Sequence, residues 1–176
     1  SAFSELDVFL KNGGGLIWFS SGMEADPAFD KYFSNLNFPI AHDIIESDFG
    51  AFNVRVPKIK DNAIRDLDVR KLSDELPEVF QYIKHTTKSR QKVHLELNNG
   101  DPLLIDFKRG KGKVFYFSSI LDLDWNDMPL RGLLVPLMYK LLVLGGTDEV
   151  NSMPVKLGRV KWITLDGNEV KKIGRA

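Results

Sequence analysis

The sequence predicts a layered α/β domain in which part of the sheet is antiparallel. Three observations carry this. A short amphipathic helix runs into a glycine turn and then a continuous apolar run, "GGGLIWFSS". Three strand-like runs, separated by "NNGDP" and "KRGKG", fill the second half. An apolar helix, "MPLRGLLVPLMYKLL", closes the domain. Helix, strand, helix, then strands and a final helix is the order of helices layered on a sheet. The short turn sequences between the later strands imply antiparallel neighbours.

Each element has a local reason. Residues 3–12 carry Phe3, Leu6, Val8, Phe9 and Leu10, an amphipathic helix with Ser4 as its N-cap. Gly13 stands where a helix stop needs a left-handed residue. The run that follows reads as a strand covered on both faces. A second helix is expected over 27–36, with Asp26 as N-cap and Pro27 at the first helical position. Residues 37–59 read as irregular or strand-like, and 66–86 as a loop with a short helix bounded by Pro77. In "VHLEL", Val93, Leu95 and Leu97 alternate with His94 and Glu96, so His94 should face water. "KVFYFSS" is continuously apolar and should lie deep in the sheet. Asp127 should cap the last helix, and Pro136 should kink it. The tail, "PVKLGRVKWITLDGNEVKKIG", reads as a β-hairpin around "LDGN". The expected organisation is one α/β domain over 1–148 and a hairpin extension over 149–176.

Composition narrows the function classes. The 176 residues suffice for one domain with a substantial core. Lys plus Arg and Asp plus Glu are both 24, so net charge gives no pull toward nucleic acid or an anionic membrane. There is no cysteine, which excludes disulfides, thiolate metal sites and a cysteine nucleophile. No apolar stretch reaches the roughly 18 residues of a membrane span. The chain opens on Ser1 with neither Met nor signal peptide, and is expected to be a fragment of a longer parent.

The glycine run is the first candidate site. A phosphate-binding loop follows a strand and precedes a helix, so that the helix N-terminus faces the anion. Here the helix comes first and the strand last, which makes the glycines a helix stop and a turn. The other end of that strand is better placed, because ligands of open α/β sheets sit at the carboxyl ends of strands. Ser20, Ser21 and Glu24 are its polar groups, and they are candidate ligand-binding residues. A serine nucleophile would need a base and an orienting acid. The histidines are His42, His85 and His94, with Asp43 beside His42, and no G-x-S-x-G elbow is present. The second candidate is "LDLDWNDMP", which gathers Asp122, Asp124 and Asp127, with Trp125 as a wall for a ligand. Clustered carboxylates suit a hard cation, but the glycine and glutamate of an EF-hand loop are missing, and the plainer reading is a polar loop ending in a helix cap. The basic stretch of Lys84, Lys88, Arg90 and Lys92, with Lys71 nearby, has no interleaved aromatics and reads as a solvated loop.

Two stretches together resemble a family. "ELDVFLKNGGGLIWFSSG" resembles the helix, glycine-turn and strand segment of glutamine amidotransferase-like domains, above all the trehalose-utilisation (ThuA-like) type. "GDPLLIDFKRGKGKVFYFSSILDLDWNDMPLRGLLVPLMYKLL" resembles the closing segment of such domains. Its "DLDWNDMPLRGLLVPLMYKLL" is similar to the degenerate amidotransferase-like domain of bacterial aerotolerance (Bat)-type membrane proteins, which also carry a von Willebrand factor A domain. The resemblance implies a three-layer flavodoxin-like, class I glutamine amidotransferase-like sheet with an antiparallel extension; about a dozen residues precede the glycine run, so either the first strands are truncated or the sheet is smaller than the family's. The family's activity needs a nucleophilic cysteine that this chain lacks, so no catalytic residue carries over. The resemblance therefore implies a non-catalytic binding or assembly module, the soluble part of a membrane-anchored bacterial protein, on a side of the membrane it does not assign. Its partners would be another protein, other domains of the same chain or a small ligand. No cofactor and no nucleic acid are expected. The alternative is a ThuA-like hydrolase or sugar-related enzyme with a site near Ser20, Ser21 and the 122–127 loop.

Overall fold

The computed structural model describes residues 2–48, 50–58, 64, 67 and 76–146, and the backbone of Lys161–Leu165 and Glu169–Ile173. The chain divides into two compact units, Ser1–Gly146 and Thr147–Ala176. In the first unit the order is α1 (Ala2–Lys11), β1 (Gly15–Phe19), α2 (Asp30–Asn35), β2 (Ile40–Glu46), β3 (Phe52–Arg55), β4 (Glu78–Val79), β5 (Gln81–Thr86), β6 (Lys92–Leu97), β7 (Pro102–Arg109), β8 (Gly112–Phe117) and α3 (Leu134–Gly146). In the second unit, β9 (Lys161–Leu165) and β10 (Glu169–Ile173) pair antiparallel as a hairpin.

Six strands form a mixed sheet in the order β1-β8-β7-β6-β3-β4. β1 and β8 run parallel, in register from Gly15 opposite Lys113 to Phe19 opposite Phe117. Every other neighbouring pair in this sheet is antiparallel. β2 and β5 form a separate antiparallel ribbon.

The two-residue period of a strand sends alternate side chains to opposite faces. Leu16, Trp18, Ile105, Phe107, Val114 and Tyr116 pack with Leu10 of α1 and with Phe33, Leu36 and Phe38 in and after α2. Ile17, Phe19, Leu104, Phe115 and Phe117 pack with Leu133, Leu137 and Leu141 at α3. Helices thus cover both faces of the sheet around β1 and β8. This is why those two strands read as continuous apolar runs, and it makes the chain a mixed α/β fold.

The glycine run closes α1 as a helix stop. Gly13 has φ 105°, its N–H donates to the Leu10 carbonyl, and the Gly14 N–H donates to the Phe9 carbonyl. That is a Schellman motif. Gly15 has a different reason. A Cβ there would lie 2.7 Å from the carbonyl oxygen of Gly145, where the end of α3 crosses β1.

Several sequence expectations are corrected. α1 begins at Ala2, so Ser4 lies inside its first turn and is not the N-cap. Asp26 caps a turn instead of a helix: its carboxylate accepts from the Ala28 N–H at 2.8 Å, and α2 starts only at Asp30. The expected helix in 66–86 falls mostly on residues outside those described, while Glu78–Thr86 is strand apart from Phe80. His94 does not face water. A register shift between Val93 and Leu95 breaks the alternation, so His94 and Leu95 are both buried. Asp127 precedes a single turn of 3-10 helix at Met128–Leu130, and α3 starts later, at Leu134. Pro136 is then in the first turn of α3, where a missing N–H breaks no bond and forces no kink.

Candidate functional site

The C-terminal end of β1 carries a buried polar chain. The Ser20 N–H continues the β1–β8 ladder to the Phe117 carbonyl, at 2.9 Å, which places Ser20 on the last rung. The next residues turn through Gly22, at φ 92°, into a 3-10 turn over Met23–Ala25. This turn brings Glu24 back against the strand it left. The Ser20 hydroxyl donates to Glu24 Oε2 at 2.9 Å, and the Trp18 indole N–H donates to Glu24 Oε1. Trp18 and Ser20 are two apart and so share a face of β1. That spacing lets both reach one carboxylate.

Tyr116, opposite Trp18 on β8, continues the chain. Its hydroxyl lies 2.6 Å from His85 Nε2 of β5. Burial pushes the Tyr116 phenol well above its ordinary range, and the negative charge of Glu24 adds to this. Burial pushes His85 down to about 4, partly opposed by the nearby Ile83 carbonyl. Both groups are therefore neutral at pH 7. The Tyr116 hydroxyl and His85 Nε2 share one hydrogen bond, whose direction follows from the tautomer of the neutral ring. Ser20, Glu24, Tyr116 and His85 are all at least 95% buried.

The expected ligand residues separate in the structure. Ser20 and Glu24 come together, as their positions at the strand end suggested. Ser21 is exposed on the turn. Trp125 belongs to the other candidate region. There its carbonyl accepts from the Phe80 N–H at 2.7 Å and from the Gln81 N–H at 3.0 Å, pinning the 122–127 loop to β5. His42 is not poised on Ser20, because its Nε2 pairs with the Thr86 hydroxyl at 2.8 Å. No nucleophile–base pair involving Ser20 exists among the described residues, since the serine donates to a carboxylate and the nearest histidine is held by a tyrosine.

Two aspartates of the 122–127 loop, Asp122 and Asp127, hold the loop and its neighbours in place, and Asp124 enters through its backbone N–H. Asp122 accepts from the Asp124 N–H at 2.8 Å. Asp127 accepts from the Glu78 N–H at 2.8 Å and from Arg131 Nε at 2.7 Å. Among the described residues, no group of three or more His, Asp or Glu could hold a metal ion. Beneath this loop Asn126 is buried and donates to the Ser119 hydroxyl at 2.9 Å. A third polar cluster lies on the α3 face of the sheet. Asp106 pairs with Lys113 at 2.9 Å and His94 at 3.3 Å. Burial works to raise the Asp106 carboxyl, but those two partners hold it below its ordinary range.

Tyr116 and His85 were not legible as site residues. Tyr116 stands inside an unbroken apolar run, and His85 follows a stretch with no clear period. The only signal is that a tyrosine in a deep strand needs a hydrogen-bond partner for its hydroxyl.

A cavity of about 360 Å³ opens beside Glu24, lined also by Phe33, Ser34, Pro39, Ile40 and Lys88. Glu24 therefore belongs both to the polar chain and to the lining of this cavity.

Known proteins resemble this chain in fold. No family model and no curated protein matches it. Among solved structures, two cytoplasmic proteins from Salmonella typhimurium superpose with TM-scores of 0.60 and 0.66, at 21% and 19% identity. The alignments cover 82% and 84% of this chain, but this chain spans only 58% and 61% of theirs. A β-galactosidase from Bacillus circulans sp. alkalophilus superposes over 98% of this chain and 23% of its own, with a TM-score of 0.56 and 17% identity. At these identities the likeness concerns the fold alone. The same fold also occurs as about a quarter of that much longer enzyme chain. No helix among the described residues is long and apolar enough to cross a membrane.

Proposed function

We propose that this chain is a non-catalytic binding or assembly module, a degenerate amidotransferase-like domain of the three-layer flavodoxin-like kind, carried by a membrane-anchored bacterial protein. The observation that carries the reading is α3. It buries Leu137 and Leu141 yet leaves Val135 76%, Tyr139 71% and Leu142 64% exposed. Positions 135, 139 and 142 follow i, i+4, i+7, so these side chains form one outward apolar stripe. A contiguous apolar face of this kind marks a protein contact more often than a bare surface. The occupant is a protein segment of the parent chain with an apolar face of its own.

The non-catalytic half rests on chemistry. The sequence has no cysteine; of the two serines at the strand end, Ser20 is fully buried with its hydroxyl given to Glu24, and Ser21 is exposed on the turn. The recurrence of the fold as a fraction of a larger enzyme chain fits a module.

Two measurements test the reading. Purified protein should show no turnover of glutamine or of a nitrophenyl ester; turnover that disappears in Ser20→Ala would overturn the non-catalytic half. The remaining portion of the parent protein, expressed separately, should co-elute with this domain. The double variant Tyr139→Glu, Leu142→Glu should abolish co-elution without lowering the domain's melting temperature, because both positions are exposed. Unchanged co-elution would overturn the assigned face.

A further inference from the structure

We propose that the cavity beside Glu24 binds a small organic cation, an alkylammonium or guanidinium group whose counter-ion is Glu24. The argument starts from a missing charge. Glu24 is 5% exposed, and its two carboxylate oxygens are held by neutral donors, the Trp18 indole and the Ser20 hydroxyl. Among the described residues, no ion pair links it to a lysine, arginine or histidine. A buried carboxylate without a cation is costly, because hydrogen bonds from neutral groups compensate lost hydration only in part. The other buried carboxylate of the fold, Asp106, has Lys113 at 2.9 Å.

The cavity supplies what the chain does not. Glu24 lines it, and its two oxygens together offer about four lone-pair sites, of which the Trp18, Ser20 and Tyr116 groups occupy no more than three. A positive group entering there would gain a charge-assisted hydrogen bond in a partly dry site. At about 360 Å³ the space suits a small molecule. Phe33, Pro39 and Ile40 provide apolar walls for an aliphatic stem. Lys88 also lines the cavity, which disfavours a second positive charge on the ligand. A monocation fits better than a diamine. The inference is independent of the assembly face on α3, since it concerns the opposite face of the sheet.

The Trp18 indole N–H reports on the site directly, because it is bonded to the same carboxylate. Butylammonium and 4-aminobutyrate, titrated into the intact protein at constant ionic strength, should shift this indole resonance saturably. They should also raise the melting temperature by mass action. Putrescine should bind more weakly than either, and 1-butanol should do neither. Glu24→Gln should weaken binding at least about tenfold, the size of one charge-assisted bond. Ser34→Trp provides a second arm: the position is exposed on α2, so the variant folds with Glu24 intact but with the cavity filled, and it should lose the response. The proposal is overturned if neither cation shifts the indole, if 1-butanol shifts it equally, or if Glu24→Gln and Ser34→Trp respond like the wild type.

Discussion

Two regions of this molecule place carboxylates just after the parallel strands β1 and β8, and they use them in opposite ways. In the 122–127 loop each described carboxylate contact closes the loop or meets a cation. Asp122 accepts from Asp124, and Asp127 joins the Glu78 N–H to the Arg131 guanidinium. At the end of β1, Glu24 is more deeply buried than Asp127, has no cationic partner among the described residues, and lines a cavity. An acidic cluster in the sequence is therefore a weaker sign of a site than a single acid whose charge the fold leaves uncompensated. The first region is closed by its own partners, while the second has binding capacity left over.

The largest expected effect comes from the β1 end. His85 has a pKa near 4 in the folded protein, against an ordinary 6.5. The unfolded chain therefore takes up a proton that the folded chain refuses. This stabilising contribution is fully present above pH 6.5 and is lost as pH falls from 6.5 toward 4, up to about 3 kcal/mol. Urea unfolding at steps across this window should show stability falling with pH, and His85→Gln should flatten the slope. An unchanged slope in the variant would mean that other groups carry it.

A direct contrast between the regions is smaller. Asp127→Ala removes a backbone bond and an arginine partner together, and should cost about 1–2 kcal/mol by chemical denaturation. Glu24→Gln keeps one acceptor for the indole or the serine and removes an uncompensated buried charge, so it should lie within about 1 kcal/mol of the wild type on either side. A Glu24→Gln cost larger than that of Asp127→Ala would break the comparison. The smallest effect belongs to metal ions. Millimolar calcium, magnesium or zinc should leave the melting temperature unchanged. A rise that Asp122→Asn removed would restore the 122–127 loop as a cation site.

Much of the fold was legible because it obeys short-range rules. The α1 stop, β1, the strands β6 to β8 and the closing hairpin all follow from apolar period and turn residues. The misses have particular causes. β5 was read as part of a loop and helix because its apolar residues, Tyr82 and Ile83, are adjacent and show no alternation. His94 was assigned to solvent because the bulge beside it depends on the β7 partner. Of the candidate site, the pairing of Ser20 and Glu24 was within reach, since they stand four positions apart with a glycine between them. His85 and Tyr116 were not, because they stand 31 positions apart and no local pattern links them.

By itself, the sequence determined where the chain turns, which strands are covered on both faces, and that no cysteine chemistry is available. These depend on glycine conformations, on apolar periodicity and on composition, all of which act over a few residues. Only the tertiary structure decided that Ser20 is sealed, that His85 serves a tyrosine, and that Glu24 lines a cavity with no cationic partner among the described residues. Those are properties of burial and long-range electrostatics, set by which distant strands come to lie against one another.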